Sequence, residues 1–141
     1  MRDINSALLQ AYHQVIDGVD IPVYEGEEPD DVKDKIYCVM SDVINIESST
    51  DNSSDTTSTI QISVHSWEYK YNNSKNLNTA VDSILQAIKP TSTSVLDLSD
   101  YNLQMMNLSI QTDRTERFGE IGGKIFISRI LILKQNIFVI S

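Results

Sequence analysis

The segment from Lys124 to Ile140 constrains this chain most, because it is strongly apolar and β-branched, with Phe126, Ile130, Ile132, Phe138 and Ile140 among its members. Branching at Cβ favours a pleated strand over a helix. A strand of this length is expected either at the centre of a sheet or paired with another chain, since a long open edge is an aggregation hazard.

The rest of the chain has to supply the partners. Ile60, Ile62, Val64 and Ser66 alternate with Gln61, Ser63, His65 and Trp67, which predicts a strand with one buried face. Residues 36–46 are rich in Tyr, Val and Ile in imperfect alternation, which predicts a long, bulged strand. Between these two, residues 47–58 carry only polar side chains and are read as a mobile hairpin tip. A further strand is expected from about Leu103 to Thr112, followed by a polar loop over residues 113–123 in which Gly119, Gly122 and Gly123 are turn glycines.

Two helices complete the pattern. Asp3 is placed to cap a helix whose apolar positions Ile4, Leu8, Ala11, Tyr12, Val15 and Ile16 recur at helical spacing, with Gly18 available as its stop. Asn73 or Ser74 can cap a second, carrying Leu77, Ala80, Val81, Ile84, Leu85 and Ile88 and closed by Pro90. Between the first helix and the 36–46 strand, Pro22 and Pro29 bracket a short extended piece at Val23 and Tyr24 and an acidic loop. The expected fold is a single α+β domain over residues 1–141, mainly an antiparallel sheet with two helices packed on one face.

Charge and cysteine usage narrow the function. Residues 1–60 carry thirteen acids against Arg2, Lys33 and Lys35, a net −10, whereas residues 61–141 carry seven acids and eight bases, a net +1. A nucleic-acid binder needs a dense basic stripe to displace counterions from phosphates, and none is visible. An acidic wall is suited to a conduit through which DNA slides without sticking, although on composition alone a solvated, solubilising face is the better reading. The single cysteine, Cys38, excludes an internal disulfide and any multi-cysteine zinc site, and its neighbours Tyr37, Val39 and Met40 place it in a buried strand. No apolar run approaches the length of a membrane span, so the chain is expected in the cytoplasm when made.

Candidate chemistry is sparse. Neither His13 nor His65 sits in a nucleophile motif, so each is read as solvent-facing or hydrogen-bonded. The acidic stretch from Glu25 to Asp34 could hold a divalent cation but reads better as a solvated loop. Asp51 and Asp55 occupy the first and fifth positions of a calcium loop whose sixth-position glycine and twelfth-position glutamate are missing. Trp67, Tyr69 and Tyr71 form an aromatic patch with Lys70 as its one basic neighbour, which fits core packing or a protein interface better than base stacking. No cofactor, metal or catalytic residue is expected.

Pro22-Val-Tyr-Glu-Gly26, then Pro29, then Ile36-Tyr-Cys-Val-Met40, then an alternating strand ending Val64-His-Ser-Trp67 ahead of a helix, follow one another in an order that resembles the small tail-completion or tail-terminator proteins of long-tailed bacteriophages. The similarity runs from Ile4 to about Leu133, and its specificity lies in the succession of motifs. Departures are Ile36, where that family often has proline, the long serine-rich hairpin, and the apolar tail Ile137 to Ile140. The resemblance implies a non-enzymatic virion protein that forms a ring, typically a hexamer, at the head-proximal end of the tail. There it would stop tube growth, contact the tail tube protein and the head connector or stopper proteins in head-tail joining, and enclose the DNA path.

In that reading Glu25, Glu27, Glu28, Asp30 and Asp31 form a candidate interface or lumen loop. Asp51, Asp55, Arg114, Arg117 and Phe118 lie on candidate docking loops, and the long strands 36–46 and 124–140 offer exposed edges for a head-to-tail ring. The alternative is a small acidic adaptor or inhibitor whose acidic loop docks on a basic partner. Neutralising that loop would abolish binding under the alternative and spare ring assembly under the first reading.

Overall fold

A computed structural model describes residues 3–26, 36–47, 55–69 and 75–140. Along the chain run helix α1 (Ile4–Asp17), β1 (Val23–Glu25), β2 (Ile36–Glu47), β3 (Asp55–Tyr69), α2 (Lys75–Ile88), a 3-10 turn (Ser99–Tyr101), β4 (Leu103–Ile121) and β5 (Lys124–Val139). The strands form one five-stranded sheet in the order β1-β2-β3-β5-β4. All neighbours are antiparallel except β1 and β2, which are parallel. The expected α+β class is borne out.

Both helices pack on the same side of the sheet. Ala7, Leu8, Ala11, Tyr12 and Ile16 of α1 and Leu77, Ala80, Val81, Ile84 and Ile88 of α2 are buried. They meet Cys38, Met40, Ile60, Ile62, Val64, Ile127, Leu131, Leu133 and Ile137 from the sheet in one apolar cluster. Period-two alternation in the strands and helical spacing in α1 and α2 thus converge on one core. Asp3 caps α1 as expected, its carboxylate accepting from the Ser6 N–H at 3.2 Å. Gly18 follows the helix in a right-handed conformation, and the left-handed residue of the exit is Asp20, with φ 62°.

Three expectations need correction. Residues 113–123 are not a loop, because β4 runs to Ile121 and only Gly122 and Gly123, at φ 59° and 81°, make the turn. This stretch reads as polar because its side chains are exposed or half-buried on both faces of the sheet over residues 111–119. The hairpin tip expected over 47–58 is shorter, since β3 begins at Asp55 and Thr56, Thr57, Ser58 and Thr59 pair with β2. Three of those four residues are β-branched, and Ser58 is fully buried within a polar hydrogen-bond chain rather than an apolar one. Finally, β5 is no edge: it lies between β3 and β4, the central option for so long a strand. The bulge expected in β2 falls between Ser41 and Ile44.

Cys38 is buried, and burial pushes its thiol up to about 12, while the Tyr12 phenol is likewise driven above its ordinary range by desolvation. Both groups keep in the folded state protons that the unfolded chain releases, so their stabilising effect is complete below the unfolded pKa values and is lost as pH rises. Urea midpoints are expected to hold between pH 7 and 8 and to fall between about pH 9 and 12. Cys38→Ala should flatten the first part of that decline; an unchanged slope would mean that the thiol is solvated.

Candidate assembly surfaces

The helices leave the other side of the sheet uncovered by any described element, and an aromatic row crosses it. Tyr24 of β1 lies 6.1 Å from Tyr37 of β2 between ring centroids, Tyr37 lies 5.0 Å from His65 of β3, and His65 stacks on Phe126 of β5 at 5.6 Å. Phe118 of β4 lies 5.7 Å from Phe126, and Trp67 lies 5.1 Å from it. Every strand contributes a ring and β3 contributes two, His65 and Trp67, because positions two apart in a strand share a face, and cross-strand ring contacts stabilise a sheet beyond simple burial. Tyr37 is buried, whereas Phe118 and Trp67 stand out into solvent. Sequence reading placed Trp67 in an aromatic patch but missed Tyr24, Tyr37, His65 and Phe126 as its companions. Only strand order reveals that they align.

His65 hydrogen-bonds the hydroxyl of Ser128, which is fully buried. A nucleophile must reach its substrate, so this pair is structural. His13 Nδ1 lies 3.5 Å from Glu25 Oε1 beside a cleft of about 450 Å³ lined by Ser6, Leu9, Gln10, Gln14 and those two residues. At that separation the contact is ionic only when the imidazole is protonated. Among the described residues, no group of three or more His, Cys, Asp or Glu gathers in metal-binding geometry. No helix among them is long and apolar enough to cross a membrane.

Of the ten residues singled out in sequence, the five that are described are spread over the sheet. Glu25 ends β1 and is exposed; Glu27, Glu28, Asp30, Asp31 and Asp51 lie outside the described residues. Asp55 is the first residue of β3. Arg114, Arg117 and Phe118, expected on a loop, lie on the edge strand β4, where the Arg114 Nε–H donates to Glu116 at 3.1 Å. Asp113 on the same strand takes a two-point contact from Arg129 of β5, at 2.6 and 2.7 Å, and Arg129 also donates to Asn78 of α2 at 3.0 Å. That guanidinium ties the edge strand to both its neighbour and the helix layer.

Exposed apolar side chains gather at the two flanks of the sheet. Ile44 and Ile46 project from β2, with 58% and 66% of their surface exposed, and Met106, Ile110 and Phe118 project from β4 with 43–49% exposed. Among the described residues β1 covers β2 only as far as Met40, and no strand covers the outer side of β4. Of the two long strands expected to offer edges, β2 therefore does so over its second half.

No protein-family model matches the chain, and no curated protein matches it. Among solved structures, it is similar to a chain of the virion of a native gene transfer agent (GTA) particle, with a TM-score of 0.67 and 15% sequence identity. The match covers 96% of this chain and 97% of that one. Agreement over nearly the whole of both chains shows that the two share a fold from the first helix to the last strand.

Proposed function

We propose that this chain is a virion structural protein of a phage-like particle, without enzymatic activity, that assembles as a ring at the head-proximal end of the tail. In this role it serves as tail terminator or tail-completion protein. The ring, a hexamer in this reading, stops growth of the tail tube, joins it to the head connector or stopper, and encloses the path of the DNA. The observation that carries the proposal is the end-to-end likeness in fold to a chain of the GTA virion. The order of sequence motifs points to the same class of protein. A likeness that covers both chains almost completely favours a shared single-domain role over a borrowed fragment.

Two features fit the assignment. The net −10 over residues 1–60 suits a wall past which DNA moves without adhering. Exposed apolar side chains at opposite flanks of one sheet suit contacts between subunits. The protein is synthesised in the host cytoplasm and functions in the virion.

Electron microscopy of the purified protein alone and mixed with tail tubes tests the proposal. Rings with a central opening, or caps seated on one end of each tube, are the expected result. A chain that stays monomeric at high concentration and leaves tube ends bare would overturn it. Replacing Glu25, Glu27 and Glu28 by Gln and Asp30 and Asp31 by Asn is expected to leave the rings intact, because the charge serves the lumen rather than closure. Loss of partner binding with assembly unaffected would instead favour an acidic adaptor.

A further inference from the structure

Strand register places the two exposed apolar flanks at the same height in the sheet. Ile44 pairs with Thr59, Thr59 with Lys134, and Lys134 with Ser109, so Ile44 on one flank and Ser109 on the other share a cross-strand row. Ile46, Thr57, Asn136 and Asn107 make the next such row. Met106 and Ile110, two of the three exposed apolar residues described on β4, bracket those same rows. A second copy displaced sideways along the sheet therefore brings its Met106–Ile110 segment against Ile44–Glu47 of the first.

Strand direction agrees. Because β2, β3, β5 and β4 alternate in direction across three antiparallel pairings, β4 of a displaced copy runs antiparallel to β2. That arrangement allows ordinary ladder hydrogen bonds between the two edges. The steric limits agree as well. β1 occupies the outer side of β2 as far as Met40, whose cross-strand row continues through Ile62 and Leu131 to Asp113. The register of β4 breaks between Ile110 and Thr112, next to that row, so an incoming strand can bend away from β1 where it would otherwise collide.

Charge also separates the flanks. β1 and β2 carry the acids Glu25, Asp42 and Glu47 and no base, whereas β4 and β5 carry the bases Arg114, Arg117, Lys124, Arg129 and Lys134 against Asp113, Glu116 and Glu120. Pairing unlike flanks avoids bringing two base-free acidic edges together, whereas a two-fold β2–β2 contact would not.

We infer that copies of this chain join head to tail through the sheet, with Ile44–Glu47 of β2 in one subunit pairing antiparallel with Met106–Ile110 of β4 in the next. The inference rests on the ring reading above and specifies the surface that closes the ring. Such a contact is heterologous, uses the same two patches in every subunit, and ends in a closed ring when the rotation per subunit permits.

Two variants test it: Ile44→Cys and Ser109→Cys, both at exposed positions, with the buried Cys38 as a silent background. Under mild oxidation, disulfide dimers are expected when the two variants are mixed and not from either alone. The double variant should give a ladder of bands ending at the ring number. A third variant, Ile46→Lys, should keep the thermal midpoint of the parent and weaken assembly at least ~10-fold by sedimentation, as loss of an interface anchor does. Crosslinks of 44 to 44 or 109 to 109, or unimpaired assembly of Ile46→Lys, would overturn this interface. Rings without any 44–109 crosslink would also overturn it and leave the ring reading standing; a protein monomeric throughout would remove both.

Discussion

Glu68→Ala is expected to destabilise the fold by about 3 kcal/mol, read as a fall in the urea midpoint at unchanged m-value. Glu68 lies on β3 with 1% of its surface exposed, and its carboxylate accepts the backbone N–H of Leu77 at 2.7 Å and the side-chain amide of Asn76 at 3.1 Å. Leu77 is the third residue of α2, so a strand residue supplies an acceptor to one of the first N–H groups of the helix; the expected caps Asn73 and Ser74 lie outside the described residues. Truncation would leave the Leu77 N–H buried without a partner and remove negative charge from the positive end of the helix dipole. Glu68→Gln keeps one acceptor oxygen, and its expected cost is about 1 kcal/mol. Equal losses for Ala and Gln would show that charge matters and the hydrogen bond does not.

That arrangement illustrates what local sequence can and cannot disclose. The buried face of α1, the alternation in β3 and the strand character of β5 were legible, because each follows from the apolar pattern of one continuous segment; that β5 lies inside the sheet rather than at an edge was not. The second half of β4 was not. Thr112, Asp113, Arg114, Thr115, Glu116 and Arg117 carry no apolar alternation, and their strand conformation comes from pairing with Leu131, Ile130 and Ile127 of β5 across the turn at Gly122 and Gly123. An edge strand needs an apolar face less than an interior strand does, so pattern-based reading mistakes it for a loop.

The candidate surfaces were legible only in part. Arg114, Arg117 and Phe118 were expected on a docking loop in the phage-tail reading, whereas they sit on an open edge strand. The aromatic row from Tyr24 to Phe118 depends on the order β1-β2-β3-β5-β4, in which the last two strands stand in reverse of their sequence. The shared height of Ile44 and Ser109 likewise exists only after three separate registers are fixed. Residues that function through juxtaposition across a sheet leave little periodic trace in any one strand.

Gln135→Leu is the second change expected to be costly, at about 3 kcal/mol, because Gln135 is the buried hinge of a polar chain that the hydrophobic pattern conceals. Its side-chain oxygen accepts the Tyr12 hydroxyl at 2.7 Å, and its amide donates to the Ser58 carbonyl at 3.0 Å. Ser58 donates in turn to Asn45, and Asn45 to Asn5 at the start of α1, so the chain joins the helix to β2, β3 and β5. Leucine would fill similar space while leaving the Tyr12 hydroxyl without its acceptor and the Ser58 carbonyl without this donor. Tyr12→Phe alone should cost about 1–2 kcal/mol by orphaning the Gln135 oxygen. In the double variant neither that hydroxyl nor that oxygen remains, so its loss should fall short of the sum by about 1–2 kcal/mol, a coupling that urea denaturation of all four proteins measures directly. Strict additivity would mean that the Tyr12–Gln135 hydrogen bond contributes no net stability.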